Sequence, residues 1–133
     1  MSIDSYIVDF ETVISSHSFV SSYSLTIDRK TRDIAYLSGT IEFRNGTVPD
    51  FKEFIESKGT LVDKYIYGYN HRKGSTIIFR YDNTPDPRAR QLKTFPHHKH
   101  IKPDKLVESN SLIDLSAVLE EIEGIHSDSE DEQ

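Results

Sequence analysis

The sequence predicts an α+β fold: a helix, an antiparallel meander of about five strands, and a second helix packed on the sheet. Apolar residues recur every three or four positions at the start, alternate through the middle, and return to helical spacing near the end. Strands and helices do not alternate, which argues against a parallel sheet. The length of 133 residues suits one domain. We assign it to residues 1–125 and expect residues 126–133 to be a disordered acidic tail.

The first helix is predicted from one apolar face. Its members, spaced as on a helix, are Ile3, Tyr6, Ile7, Phe10, Val13 and Ile14. The helix is expected to stop at Ser15-Ser16.

The strands are predicted from residues that alternate between apolar and polar. Their expected ranges are 19–27, 34–44, 47–56, 61–70 and 75–81. Asn45-Gly46 is a strong hairpin signal between the second and third strands. The third range also suits a helix, but the preceding turn favours a returning strand with a bulge. Tyr65, Tyr67 and Tyr69 are expected on one face of the fourth strand.

The rest of the chain is predicted as a loop and a helix. Residues 83–105 contain four prolines and are expected to form a long irregular loop. Asn110-Ser111 is expected to cap the second helix, which should end at Gly124. Its apolar stripe is Leu112, Leu115, Leu119 and Ile122.

Composition excludes several classes of function. There is no cysteine, so disulfides and thiolate catalysis are impossible. The N-terminus carries no signal-like segment and no apolar run reaches membrane-spanning length, so we expect a cytoplasmic protein with no membrane partner. No glycine-rich phosphate loop, nucleophile elbow, zincin motif or helix-turn-helix signature is present.

Charge is strongly polarised along the chain. Residues 64–105 carry 10 basic and 3 acidic residues, net +7, whereas residues 106–133 carry 9 acidic residues and no Lys or Arg. The basic middle suits an anion such as nucleic acid. The acidic end is either a solvated tail or a shield for the basic surface.

The densest group of reactive side chains is Phe95-Pro96-His97-His98-Lys99-His100. In an extended segment, His98 and His100 project to one side, roughly 7 Å apart, and His97 and Lys99 to the other. Three interpretations are open. The histidines act as acid and base in RNA cleavage, they bind a metal through the H-x-H spacing, or they form an ordinary surface patch.

A second candidate segment leaves the last predicted strand as Arg80-Tyr81-Asp82-Asn83. Arg80 and Lys93 could neutralise phosphate charge, together with Lys99. Asp82 could hold an imidazole in the required tautomer, and Tyr81 could stack on a base or donate a proton. The competing interpretation is ordinary turn chemistry, because Asp-Asn is followed by a proline.

Together the two segments resemble the TumE-like family of toxins from prokaryotic toxin–antitoxin modules. The carrying motifs are F-R-Y-D-N over residues 79–83 and T-F-P-H-H-K-H over residues 94–100. The family commonly continues its first motif with N-A-P-H-H, where this chain has Asn83-Thr84-Pro85-Asp86-Pro87. The resemblance implies a growth-inhibiting toxin encoded beside a DNA-binding antitoxin.

The sequence hypothesis is therefore an RNA-targeting toxin, an endoribonuclease inhibited by its antitoxin. We assign His98 and His100 as acid and base, Lys99 and Arg80 as phosphate stabilisers, and Asp82 as the orienting carboxylate. Substrate contacts are assigned to Tyr81, Asn83, Lys93 and His97. No cofactor or metal is assigned, and a homodimer is left open. The alternative is a non-catalytic protein that binds nucleic acid or a protein target.

Overall fold

A computed structural model describes residues 2–102, 104–110 and 113–131, with side chains for all of these up to residue 125. The helices are α1 (Ile3–Ser15) and α2 (Leu115–Asp131). The strands are β1 (Val20–Arg29), β2 (Ile34–Phe43), β3 (Val48–Lys58), β4 (Leu61–Lys73), β5 (Thr76–Asp82), β6 (His98–Ile101) and β7 (Lys105–Glu108). A short 3₁₀ turn spans Pro87–Ala89.

Within these residues the strands form one seven-stranded sheet in chain order, each antiparallel to the next. The predicted α+β class, antiparallel meander and flanking helices are confirmed. The predicted number of about five strands is wrong, because β6 and β7 lie where a loop and its end were expected. Each has only four residues, too few for a period of two to stand out beside the prolines.

The first helix forms as its apolar spacing predicts. The Ser2 side chain accepts a hydrogen bond from the backbone N–H of Ser5 and caps the N-terminus. The buried stripe, Ile3, Ile7, Phe10 and Ile14, faces β1, β2 and β3. The predicted end near Ser15 is confirmed.

The second helix buries Leu115, Leu119 and Ile122, as predicted, and contacts β4. The predicted end at Gly124 is wrong, because the helix continues to Asp131, into the segment expected to be a tail. A glycine ends a helix when it adopts a positive φ, which Gly124 does not. The predicted cap at Ser111 and the contact of Leu112 lie outside the described residues.

The sheet has two different faces. Both helices pack on the covered face, whose buried residues include Leu37, Ile41, Phe51, Tyr69 and Phe79. Among the described residues, neither helix packs on the other face, which we call the open face. Because side chains alternate along each strand, successive residues of a strand point to opposite faces and contact different residues.

Two local features set which residues reach each face. The Asn45-Gly46 turn is confirmed, with Gly46 at a φ of 87°. The strand β3 is also confirmed, and a register shift between Phe54 and Ile55 leaves Tyr65 of β4 as the extra residue. The prediction that Tyr65 shares a face with Tyr67 and Tyr69 is therefore wrong: a bulge interrupts alternation.

No helix of the described part of the chain is long and apolar enough to cross a membrane.

Candidate active site on the open face of the sheet

Two neighbouring strands place four polar side chains together on the open face. In the pairing of β5 with β6, Asp82 lies opposite His98 and Arg80 lies opposite His100. R-x-D and H-x-H both have a spacing of two, so all four side chains project to the same side. The expectation that His98 and His100 share a side is confirmed, with ring centroids 4.9 Å apart.

Asp82 is the centre of the cluster and is only 2% exposed. Its Oδ1 accepts from Nε2 of His98 at 2.9 Å and from the backbone N–H of Thr84 at 3.1 Å. Its Oδ2 accepts from Nε of Arg80 at 2.7 Å. A buried carboxylate is stable when cations and hydrogen bonds compensate for lost hydration, and Asp82 has both.

Both nitrogens of the His98 ring face an oxygen acceptor. Nδ1 lies 2.7 Å from the carbonyl oxygen of Pro96, and Nε2 faces Asp82. With both ring nitrogens engaged, the orientation of the imidazole is fixed from two sides. His98 is 1% exposed, so its polar contacts lie inside the protein.

His100 is the more accessible of the two rings, with its side chain 22% exposed. Its Nε2 is buried without a hydrogen-bond partner among the described residues, 3.6 Å from Oδ2 of Asp82. Burial, followed by the nearby positive charge of Arg80, lowers the pKa of His100. The ring is therefore neutral at neutral pH and can accept a proton.

The same cluster could hold a metal ion. One potential ligand atom from each of Asp82, His98 and His100 lies within 4.8 Å of the others. The bond from Nδ1 of His98 to a carbonyl would direct Nε2 inward, as outer contacts of metal ligands do. Arg80, however, already neutralises Asp82 through Oδ2, so the carboxylate is satisfied by a side chain of the protein.

Lys99 and Tyr81 lie on the covered face, on the other side of the sheet from the histidines. The Lys99 ammonium forms an ion pair with Glu121 of α2 at 2.8 Å and lies over the rings of Phe79 and Tyr81. The Tyr81 hydroxyl donates to the same carboxylate. Burial is the largest single influence and lowers the pKa of Lys99, but the hydrogen bonds and charges of Glu121 and Tyr81 together outweigh it and raise the pKa.

The other predicted contact residues also lie outside the cluster. The His97 ring stacks on Tyr67, with Nδ1 2.9 Å from the tyrosine hydroxyl. The Asn83 amide bonds to backbone atoms of Tyr65 and Tyr67, which fixes the exit from β5. Lys93 is exposed. Of the nine predicted site residues, the fold brings together four: Arg80, Asp82, His98 and His100.

A cavity of about 310 Å³ opens in front of the cluster, bordered by the Asp82, His98 and His100 side chains and by the loop from Thr84 to Pro87. Asp86 anchors this loop. Its carboxylate accepts from the side chain and backbone N–H of Arg88, and these bonds lower the pKa of Asp86 to about 2.

The part of the open face that borders this cluster carries no motif in the sequence and was not predicted. Tyr36, Lys52 and Asn70 line a second cavity that also includes Arg80 and Asp82. Alternation along the strands could have indicated them. Each lies next to a buried core residue in one of three successive strands, so its side chain points to the opposite face of the sheet. Finding them together requires the strand register, which the sequence alone did not supply.

The fold and the site define a small α+β protein with a buried aspartate held by arginine and histidine on an open sheet face. Its family follows from comparison with known proteins: the family model described as Toxin TumE matches residues 10–126, which include all four clustered residues. The chain belongs to the TumE toxin family, as its motifs predicted, and is a toxin component of a toxin–antitoxin system. Comparison with curated proteins and with solved structures gave no significant match.

Proposed function

We propose that this toxin is a cytoplasmic endoribonuclease that inhibits growth by cleaving RNA and is neutralised by a cognate DNA-binding antitoxin. The observation that carries the proposal is the cluster in which Asp82 contacts His98 and Arg80 directly and lies 3.6 Å from His100. An accessible neutral imidazole beside a guanidinium supplies a proton acceptor and a phosphate ligand, the two groups that RNA cleavage requires.

His100 acts as the general base. Its Nε2 faces Asp82, so Nδ1 is the nitrogen that receives the proton of the 2′-hydroxyl. The 2′-oxygen then attacks the phosphorus and the bond to the 5′-oxygen breaks. The departing oxygen takes a proton from water, and the hydroxide that remains removes the proton from His100, which restores the neutral base. The products are a 2′,3′-cyclic phosphate and a 5′-hydroxyl.

Arg80 stabilises the negative charge that grows on the phosphate oxygens. Its side chain is 43% exposed while Nη2 remains 2.7 Å from Asp82, so the guanidinium can bind a phosphate without leaving its partner. Lys102 borders the same surface beside His100 and adds positive charge. Lys99, on the covered face, has no part in this step of the proposal.

His98 acts through Asp82 and does not contact the substrate. Both of its ring nitrogens are engaged and its side chain is buried. We therefore revise its assigned role from proton donor to positioning residue: His98 holds the carboxylate that orients His100. A carboxylate that fixes an imidazole in this way is a recurrent catalytic arrangement.

The test is an RNA digest by the full chain. Purified wild type, His100→Ala and the matched control Lys58→Ala are incubated with total RNA in chelator, and the ends of the products are analysed. We expect cleavage by wild type and control, cyclic phosphate ends, and loss of cleavage in His100→Ala. Lys58 is a suitable control because it lies at the distant end of β3, paired with Asp63 and Glu56.

A second candidate is metal-dependent hydrolysis, favoured by the convergence of Asp82, His98 and His100. The same digest separates the two when Mg²⁺, Mn²⁺ or Zn²⁺ replaces the chelator. Cleavage that appears only with metal would favour this candidate. Absence of cleavage in every arm, by protein that still arrests growth, would overturn both and favour a toxin that acts by binding.

A further inference from the structure

The cavity at the histidines is one end of a longer depression. A second cavity, of about 280 Å³, lies on the open face across β2, β3 and β4 and shares Arg80, Asp82 and Thr84 with the first. We call this second cavity the trough. A ligand whose phosphate lies at Arg80 therefore has room to continue into the trough.

One end of the trough is aromatic. The Tyr36 ring stacks against Phe54 at a centroid distance of 4.3 Å, and Tyr65 lies beyond Phe54 at 5.9 Å. Tyr36 is half-buried and borders the cavity. A ring held from behind by a second ring presents a rigid surface on which a planar group can stack.

The floor of the trough carries an uncompensated polar atom. Oδ1 of Asn70 is buried and has no hydrogen-bond partner among the described residues. Leaving such an atom unsatisfied costs free energy that a ligand donor would recover. By contrast, the neighbouring carboxylate of Asp50 is already engaged by Arg72 and Thr40.

Lys52 supplies a cation over the trough. Its side chain lies across Gly68, where an added Cβ would come within 3.1 Å of the lysine Cε. A glycine at this position lets the aliphatic stem lie flat on the sheet with the ammonium at the cavity. Lys52 and Arg80 thus place two cations along one depression.

We propose that the trough binds a nucleotide next to the cleaved phosphate and that the substrate is single-stranded RNA. Its base stacks on Tyr36 and donates a hydrogen bond to Asn70, and its phosphate lies between Lys52 and Arg80. A base in a duplex is stacked on its neighbours and cannot reach Tyr36, whereas aromatic stacking combined with cations is the usual mode of single-strand binding. This inference rests on the proposed RNA-cleaving function.

The test measures binding without cleavage. The probe is a fluorescein-labelled eight-nucleotide RNA of mixed sequence with 2′-O-methyl groups, which lacks the attacking hydroxyl, and the readout is anisotropy with the full chain. We expect Tyr36→Ala to weaken binding about tenfold, the scale of one base stack. Tyr36→Phe should retain wild-type affinity and thus report a folded protein. Asn70→Ala should weaken binding about fivefold.

Electrostatics is tested with a matched pair on one strand. Lys52→Ala should weaken binding and reduce the salt dependence by about one phosphate contact, while Lys58→Ala, which removes the same charge outside the trough, should change neither. The duplex form of the probe should bind at least about tenfold more weakly than the single strand.

The outcomes distinguish a failure of this inference from a failure of the proposed RNA-cleaving function. If wild type binds the probe through Tyr36 and Asn70 but cleaves no RNA, the endoribonuclease proposal fails and the nucleotide site stands. Wild type that cleaves RNA while Tyr36→Ala and Asn70→Ala bind the probe normally would overturn the trough proposal. So would equal affinity for the duplex, or no binding of the single strand.

Discussion

Two buried carboxylates, on opposite faces of the sheet, have very different surroundings. Glu53 is 1% exposed on the covered face, where it accepts from the hydroxyls of Tyr6 and Tyr69 with Lys64 nearby. Asp82 is 2% exposed on the open face, where its direct side-chain partners are Arg80 and His98. One carboxylate is bound by neutral hydroxyls and the other by a guanidinium and an imidazole.

This difference separates a structural group from a reactive one. Burial raises the pKa of Glu53, and only part of that effect is offset by Lys64 and the tyrosines. Glu53 is therefore compatible with a neutral form that links α1 to the sheet. Asp82 has its compensating charge, the Arg80 guanidinium, at the rim of a cavity, where a substrate phosphate can share it. Equal burial of two acids thus says little about function until their partners are named.

The largest effect is expected from removing the anion of the open face. Asp82→Ala leaves the Arg80 guanidinium and the buried His98 ring without their partner, so we expect the free energy of unfolding to fall by about 3 kcal/mol. Urea denaturation measures it, with Asp82→Asn as the variant that keeps the shape. A loss smaller than about 1 kcal/mol would mean that Asp82 is not held as a buried ion pair.

The next effect concerns rate alone. His100→Ala should reduce RNA cleavage by about 100-fold or more, the usual contribution of a general base. Its ring is partly exposed, so the midpoint of thermal unfolding should change little. His97→Ala, three residues earlier and outside the cluster, is the control. Equal rates in both variants would remove His100 from the reaction.

The pH dependence tests the coupling of Arg80 to His100. Cleavage requires the neutral ring, so the wild-type rate should rise as pH increases through a His100 pKa below the ordinary value. Arg80→Gln removes a nearby positive charge, and the His100 pKa should then move upward. Titration of the His100 ring protons by NMR measures this without activity. An unchanged or lower pKa would contradict the geometry.

The next expected effect is smaller and concerns Glu53 on the covered face. Here stability decreases as pH rises, whereas the cleavage rate through His100 increases. A carboxyl whose pKa is raised in the folded protein contributes stability below its unfolded pKa and loses it as pH rises through the folded value. Glu53→Gln cannot ionise and should lack this loss. The difference in melting temperature between variant and wild type should therefore shift in favour of the variant from about pH 4 upward. A constant difference would show that Glu53 does not titrate.

The smallest effect is expected at Lys99. Its ion pair with Glu121 is partly exposed, so Lys99→Ala should cost less than about 1 kcal/mol of stability. Its ammonium is on the covered face, so the rate of RNA cleavage should stay at the wild-type level. A large loss of rate, with the fold intact by circular dichroism, would restore Lys99 to the catalytic role that sequence analysis assigned.

Sequence patterns predicted the local structure better than the assembly. The first helix and the shared side of His98 and His100 follow from spacing, and the Asn45-Gly46 turn follows from residue type. Each depends on only a few neighbouring residues. The extra strands β6 and β7 are defined by the pairing of β6 with β5 and of β7 with β6 rather than by their own composition. Tyr65 lies on a different face from Tyr67 and Tyr69 because of a bulge, and no residue type in the sequence predicts that bulge.

The candidate site shows the same limit. Arg80, Asp82, His98 and His100 were singled out individually, and alternation predicted which of the histidines share a side. That Asp82 lies opposite His98 depends on the register between β5 and β6, set by contacts distant in sequence. Tyr36, Lys52 and Asn70 came from three other strands and had no motif to mark them.

The geometry of the site depends on the alternation of side chains along the short strand β6. Four consecutive residues present His98 and His100 to one face while Lys99 binds α2 through the other. A residue inserted in the loop between Asp86 and Phe95 does not change which face each residue of β6 points to, because the loop can accommodate the extra residue. One residue inserted between Lys99 and His100 would turn His100 inward and separate it from Asp82. Length variation in this chain is thus tolerable a few residues before the histidines and destructive between them.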